Sequence, residues 1–234
     1  IGANTQVRMW DSSIATTTNA TGGSLYSQDH EGVSGSLYIY GNYSRSSGAD
    51  HWSFATDFDG ATGTARQVNV RIASSSTLTF SGGALNVIGT ASASTTIDAE
   101  GGVGGYAFGV SGGTLDMRYY SLRHTDQNGL NISGNTTVND LSDGDFELAF
   151  AGGTMMRVAG ATIDANPLLT FQRNRFATSS GVTSGYNVTA VGTSVSAWRF
   201  NLAYGNRAGE AFDNDPGGDP GEHDGHGPGW VPVR

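Results

Sequence analysis

The sequence predicts an all-β fold, a parallel β-helix or solenoid with rungs of about 20 residues, and three observations carry that expectation. The first is a recurring motif in which two apolar-x-apolar segments flank small residues: Leu78 to Val87 around Gly82-Gly83, Phe108 to Met117 around Gly112-Gly113, and Leu148 to Val158 around Gly152-Gly153. Alternation of period two buries one face of a strand, and glycine supplies the positive φ of a tight corner. The second is spacing: corners at Gly112, Gly134, Gly152 and Gly192 lie 22, 18 and 40 residues apart. A degenerate rung near Asn166 to Phe171 would fill the longest gap. The third is composition, with 36 Gly, five Pro and 10% aromatic residues, which suits short strands and tight turns. An antiparallel β-sandwich with Gly-rich hairpins fits the same local pattern and stands as the alternative.

In chain order, residues 1–35 are rich in Ser, Thr and Asn with isolated apolar positions such as Met9, Trp10, Ile14 and Leu25. They are expected to cap the first coil, because an uncovered solenoid end exposes a sheet edge, or to reach out as an exchange arm. Residues 36–205 form the expected solenoid. Leu37-Tyr38-Ile39-Tyr40 alternates cleanly, and Trp52, Phe54 and Phe58 share one strand face, normally the core face. Val68, Val70 and Ile72 point inward on the next strand. Loops are expected at 99–105, 126–129, 140–145 and 177–185. Residues 206–234 form an irregular acidic tail holding four of the five prolines.

Charge narrows the partners. Net charge is −9 and pI about 4.8, with twelve Arg, no Lys and no Cys. Nucleic acid and anionic lipid are therefore not expected partners. No apolar run approaches the length of a membrane-spanning helix, so membrane insertion is not expected either. Absence of both Lys and Cys suits an exposed extracellular chain, which places it as secreted or on a cell surface.

Several residue sets invite a chemical reading. Asp213, Asp215, Asp219, Glu222 and Asp224 bracket Gly218 with carboxylates at positions 1, 3, 7, 10 and 12 of a loop, spacing close to that of an EF-hand calcium loop. Ca²⁺ is thus the expected cofactor, although Gly217 replaces a usual ligand and prolines interrupt the loop. Sequons at Asn19, Asn42, Asn131, Asn135 and Asn187 are glycosylation candidates. Trp52, Tyr119 and Tyr120 could stack on sugar rings, making glycans a second expected partner. Asp116, Arg118, Arg123, His124 and Asp126, with Asp140, Asp143, Asp145 and Glu147 about a rung later, form the densest polar set. Clustered acids with arginine could serve polysaccharide cleavage, but their spacing matches no catalytic motif, and a non-enzymatic role is expected.

The Gly-cornered rungs from Val68 to about Phe200, followed by Trp198-Arg199-Phe200 and the run Asp213 to Asp219, resemble the repetitive β-solenoid regions of large secreted bacterial surface proteins. That resemblance implies a structural or adhesive role at the cell exterior. Together with joinable ends it leads to a first functional expectation: an extracellular structural protein that self-associates as a filament or surface-layer subunit. A carbohydrate-binding or polysaccharide-cleaving β-helix, or a calcium-dependent adhesin module, is the alternative.

Overall fold

The structure, a computed structural model, describes residues 5–28, 34–53, 68–215 and 227–231. Its strands are short and numerous. The first half holds β1 (Gln6–Met9), β2 (Ser12–Ile14), β3 (Thr18–Ser27), β4 (Gly35–Ile39), β5 (Tyr43–Ser53), β6 (Val68–Ile72), β7 (Thr77–Phe80), β8 (Ala84–Ile88) and β9 (Thr95–Ala99). After these come β10 (Tyr106–Arg118), β11 (Tyr120–Leu122), β12 (Thr125–Asp140), β13 (Gly144–Leu148) and β14 (Thr154–Ala159). A six-residue helix, α1 (Gly160–Ala165), precedes β15 (Thr170–Gln172), β16 (Arg175–Thr178), β17 (Tyr186–Val191), β18 (Ala197–Asn201) and β19 (Gly227–Val231).

These strands form three sheets. The first runs β1-β3-β5-β7-β10-β12-β14-β17, with β8 beside β5 and β10; the second runs β16-β13-β11-β9-β6-β4-β2; the third is β15-β18-β19. From β1 to β6 the chain alternates strictly between the first two sheets. All pairings between these strands are parallel. The antiparallel sandwich is thereby overturned, since a hairpin would place sequential neighbours side by side in opposite directions. A fixed rung of about 20 residues also fails. Gln6 lies beside Ser24 but Tyr43 beside Leu78, so aligned partners are 18 to 35 residues apart. Residues 6–27, expected as a cap or arm, supply β1, β2 and β3 of the same sheets.

Alternation decides which face is buried. Tyr43, Leu78, Phe108, Leu130, Met156 and Val188 make one inward row of the first sheet. Leu37, Val70, Ile97, Leu122, Phe146 and Phe176 make the matching row of the second. Each of these side chains is at most 2% exposed, and burial of that kind stabilises by roughly 1.5–3 kcal/mol per large apolar residue. Aromatic contacts link successive strands: Trp52 meets Phe80 edge-on at 5.8 Å, and Phe146 stacks on Phe176 at 5.2 Å.

The Gly-cornered motif resolves into different geometries. Around Gly82-Gly83 it is a kink between β7 and β8 within one sheet, around Gly113 it is a bend inside the continuous β10, and around Gly152 it crosses from the second sheet to the first. Gly48, Gly83 and Gly113 have φ of 80°, 76° and 75° and stack on one another, Gly48 within β5, Gly83 just before β8 and Gly113 within β10. A Cβ on Gly83 would meet the Gly48 carbonyl oxygen at 2.3 Å, and one on Gly113 the Gly83 oxygen at 2.1 Å. Backbone packs on backbone there, leaving no room for a side chain.

Among the described buried polar residues one pair is charged on both sides. Arg45 and Asp50, both 0% exposed, form an ion pair inside the first sheet; Tyr43 donates to Asp50 at 2.8 Å, and Arg45 also donates to the Ser47 carbonyl at 2.9 Å. Burial pushes the Asp50 carboxyl up, opposed by the Arg45 hydrogen bond and charge. Removing either partner alone would strand a charge.

Two glycines of similar φ separate the conformational and steric costs. Gly152 has φ 74°, and a Cβ added there would meet nothing within 4 Å, so Gly152→Ala should cost about 1 kcal/mol. Gly83→Ala should cost about 2–5 kcal/mol, adding overpacking to the same backbone strain. Urea denaturation of both variants checks this, and equal losses would show that the glycine stack is not close-packed.

Candidate functional site

The outward positions of the second sheet carry charge where the inward positions carry aliphatics. Register puts Tyr38, Arg71 and Asp98 in one row, and Asn69, Thr96, Ser121, Asp145 and Arg175 in the next. Arg71 pairs with Asp98 at 2.9 Å, and His124 Nδ1 lies 2.7 Å from the other oxygen of that carboxylate. Arg123 reaches Asp145 at 3.4 Å and Glu147 at 3.7 Å, while Arg175 pairs with Asp145 at 2.6 Å. Ser179 donates to Glu147. Arg71 and Asp98 sit on β6 and β9 and Asp145 and Arg175 on β13 and β16, while Arg123 and His124 reach across from the corner after β11, so the network ties one level of the sheet to the next.

The dense polar set of the sequence is thus divided. Asp116 and Arg118 pair at 3.1 Å on the first sheet, away from Arg123 and His124. Asp126 accepts from the Asn128 backbone N–H at 2.8 Å, and Asp140 accepts from the Ser142 backbone N–H at 2.9 Å, so both lock turns. Asp145 and Glu147, the closest approach to a carboxylate pair, are bridged by Arg123. Guanidinium stays protonated at all working pH values and only donates, so Arg123 ties the two carboxylates together as a fixed cation.

A groove opens where the chain turns into the second sheet. Its volume is about 430 Å³, and its walls include Thr90, Ser94, Tyr119, Asp143, Arg173 and Tyr204. Three of these residues share an uncommon backbone: Tyr119, Asp143 and Arg173 have φ of 51°, 57° and 53°. They occupy equivalent places, each just before the aligned residues of β11, β13 and β16. Neighbouring hydrogen bonds hold them, from Thr95 N–H to the Tyr119 carbonyl at 3.0 Å, from Asp143 N–H to the Gln172 carbonyl at 2.8 Å, and from Arg173 N–H to the Asn201 carbonyl at 2.9 Å. Left-handed backbone costs a non-glycine residue roughly 1–2 kcal/mol, so the surrounding sheet stabilises a corner that the residues would not choose alone. Arg173 grips Asp143 through Nε at 2.6 Å and Nη2 at 2.7 Å. Hydrogen bonding to Asp143 and its charge raise the Arg173 guanidinium, with Tyr119 adding a smaller effect of the same sign.

Other candidates fall as follows. Trp52 and Tyr120 are 1% and 0% exposed, which corrects their assignment as sugar contacts: both fill the core, and Tyr120 donates to the Leu141 carbonyl at 3.2 Å. Tyr119 alone of the three reaches the surface. Phe54 and Phe58 lie outside the described residues. Asn19, Asn42 and Asn135 are exposed and Asn131 half-buried, but Asn187 is 0% exposed and its amide donates to the Arg207 and Gly209 carbonyls at 2.8 and 2.9 Å. A glycan on that nitrogen is incompatible with the fold, which corrects the fifth sequon. Asp213 and Asp215 flank Asn214, which bridges to Thr189 of β17. Asp219, Glu222 and Asp224 lie outside the described residues, and among the described residues no three His, Asp or Glu side chains converge on a metal-sized site.

Comparison with family models, with curated proteins and with solved structures finds no match. Function therefore rests on geometry.

Burial separates the sequons in a measurable way. Asn187→Ala removes the buried amide's hydrogen bonds to the Arg207 and Gly209 carbonyls and from the Val188 N–H and should cost about 1–3 kcal/mol, whereas the exposed Asn135→Ala should stay within about 0.5 kcal/mol of the parent. Thermal unfolding of the two variants distinguishes them; a neutral Asn187→Ala would contradict the buried amide.

Proposed function

We propose that the alternating parallel sheets wind as a β-solenoid, and that the protein is an extracellular structural component that self-associates through its N-terminal end. The observation that supports this is an asymmetry between the two ends. At the far end, the last strands of the two larger sheets, β16 and β17, are covered: Phe176 N–H donates to the Tyr204 carbonyl at 2.8 Å, Arg207 N–H to the Phe176 carbonyl at 3.0 Å, and Asn214 exchanges bonds of 2.9 Å with Val188 and Ala190 beside β17, while the small third sheet ends on β19.

At the near end β1 and β2 finish their sheets, and among the described residues no strand pairs with their outer edges. Alternation tells which peptide groups face outward there. The Thr5 and Met9 carbonyls accept from Ser24 and Gln28, so those of Gln6 and Arg8 point away from β3; Ile14 accepts from Tyr40, so Ser13 points away from β4. Open peptide edges favour strand addition. With the far edges of the two larger sheets covered, two near ends meeting about a two-fold axis give a closed pair in preference to an open filament.

The ion pairs running from strand to strand support a reinforced structural surface more than a catalytic one. Within the same proposal, Asp213, Asp215, Asp219, Glu222 and Asp224 form a calcium-dependent joint, supported by residue type and spacing. Exposed sequons at Asn19, Asn42 and Asn135 would carry glycans on an exterior surface.

Proline at outward-facing positions tests the association without breaking the existing ladder. Sedimentation velocity should give a dimer for the parent chain at about 100 µM and a monomer for Arg8→Pro/Ser13→Pro, with melting temperature unchanged. A monomeric parent, or a double variant that still pairs, would contradict the proposal.

A further inference from the structure

We propose that the groove at the corner of the second sheet binds a neutral oligosaccharide, independently of how the ends associate. Its volume of about 430 Å³ falls within the range of small-ligand clefts. Tyr119 is half-buried and Tyr204 is 53% exposed, and both line it. Tyrosine offers a flat apolar face with a polar tip, the chemistry that packs against the C–H face of a pyranose while meeting its hydroxyls.

Neither ring sits on a loose tether. Tyr119 is anchored by the Thr95 hydrogen bond, and Tyr204 both donates to the Asn174 carbonyl at 3.0 Å and accepts from Phe176. Presented from fixed backbone, the rings need little ordering on binding.

Polar groups complete the match. Arg173, with 52% of its side chain exposed, uses two of its N–H groups on Asp143. The exposed guanidinium and the carboxylate it grips offer donors and acceptors to vicinal hydroxyls. Thr90 and Ser94 add hydroxyls to the lining. Charge decides the class of sugar: Asp143 and Asp145 are balanced by Arg173 and Arg175, and the chain as a whole carries −9. An acidic saccharide gains nothing from such a field, whereas a neutral one is not repelled.

Isothermal titration calorimetry on the whole chain with cellohexaose, laminarihexaose, chitohexaose, mannohexaose and an oligogalacturonate tests the site. At least one neutral hexasaccharide should bind. Tyr204→Ala, and Tyr119→Asn, which tolerates the left-handed backbone, should each weaken binding at least ~10-fold. Tyr40→Ala, at another exposed tyrosine, should leave affinity unchanged, and thermal melts establish that each variant is folded. Arg173→Gln supplies a further folded variant with weakened binding should either tyrosine variant unfold. The proposal is overturned by no binding of any neutral probe at millimolar concentration, by binding indifferent to Tyr204 and Tyr119, or by preference for the oligogalacturonate.

Discussion

Backbone lying directly on backbone at the glycine bends is the constraint on which the rest of the structure depends. Gly48, Gly83 and Gly113 combine positive φ with a neighbouring carbonyl where Cβ would be. Parallel pairing brings the same place in each strand into contact, so a bend in one strand must be repeated in the next or the ladder breaks. Aligned bends keep the inward rows in register on both sides of the kink: Tyr43, Leu78 and Phe108 before it, and Leu85 and Leu115 after it. Slipping one strand by a residue would move its apolar set to solvent and set a side chain against a bend.

Packing and charge then act on opposite faces of the same strands. Inside, aliphatic rows and aromatic contacts provide the burial; outside, Arg71, Arg123, Arg173 and Arg175 pair with acids on adjacent strands. Exposed ion pairs are worth little singly, about 0–1 kcal/mol each. Their sign alternation still disfavours misaligned pairing of like charges. The buried Arg45–Asp50 pair differs in kind, since its hydrogen bonds to Tyr43 and Ser47 make it dependent on the local bend at Gly48.

Local periodicity made much of this legible. The alternation in Leu37 to Ile39, Val68 to Ile72 and the Gly-cornered motifs correctly separated inward from outward side chains, but it fits hairpins as well as parallel strands, and only the recurrence of corners pointed to the parallel arrangement. Rung length was not legible, because corners absorb segments of variable size without disturbing the strands between them. Arg45 and Asp50 sit at core positions that no polarity pattern would assign to the interior. Asn166 has a similar hidden role: its side chain accepts from Val138 N–H at 2.9 Å and donates to the Thr136 carbonyl at 2.8 Å, finishing the edge of β12 where α1 interrupts the strands. The groove was the least visible feature. Tyr119 and Tyr120 were singled out as sugar contacts and Asp143 as part of a dense polar set, but Thr90, Arg173 and Tyr204, which join them through cross-strand stacking, bear no local signature.

Cross-linking tests this register most directly, because the chain contains no native cysteine. Ser44 and Thr79 are aligned on β5 and β7 and both lie on the outward face. Neighbouring strands stand about 4.8 Å apart, within the range a disulfide spans. Ser44→Cys/Thr79→Cys should oxidise to an intramolecular disulfide in the folded protein, while Ser44→Cys/Ser81→Cys, displaced by two residues along the strand, should remain reduced. A disulfide in the displaced pair but not in the aligned one would contradict the stacked register.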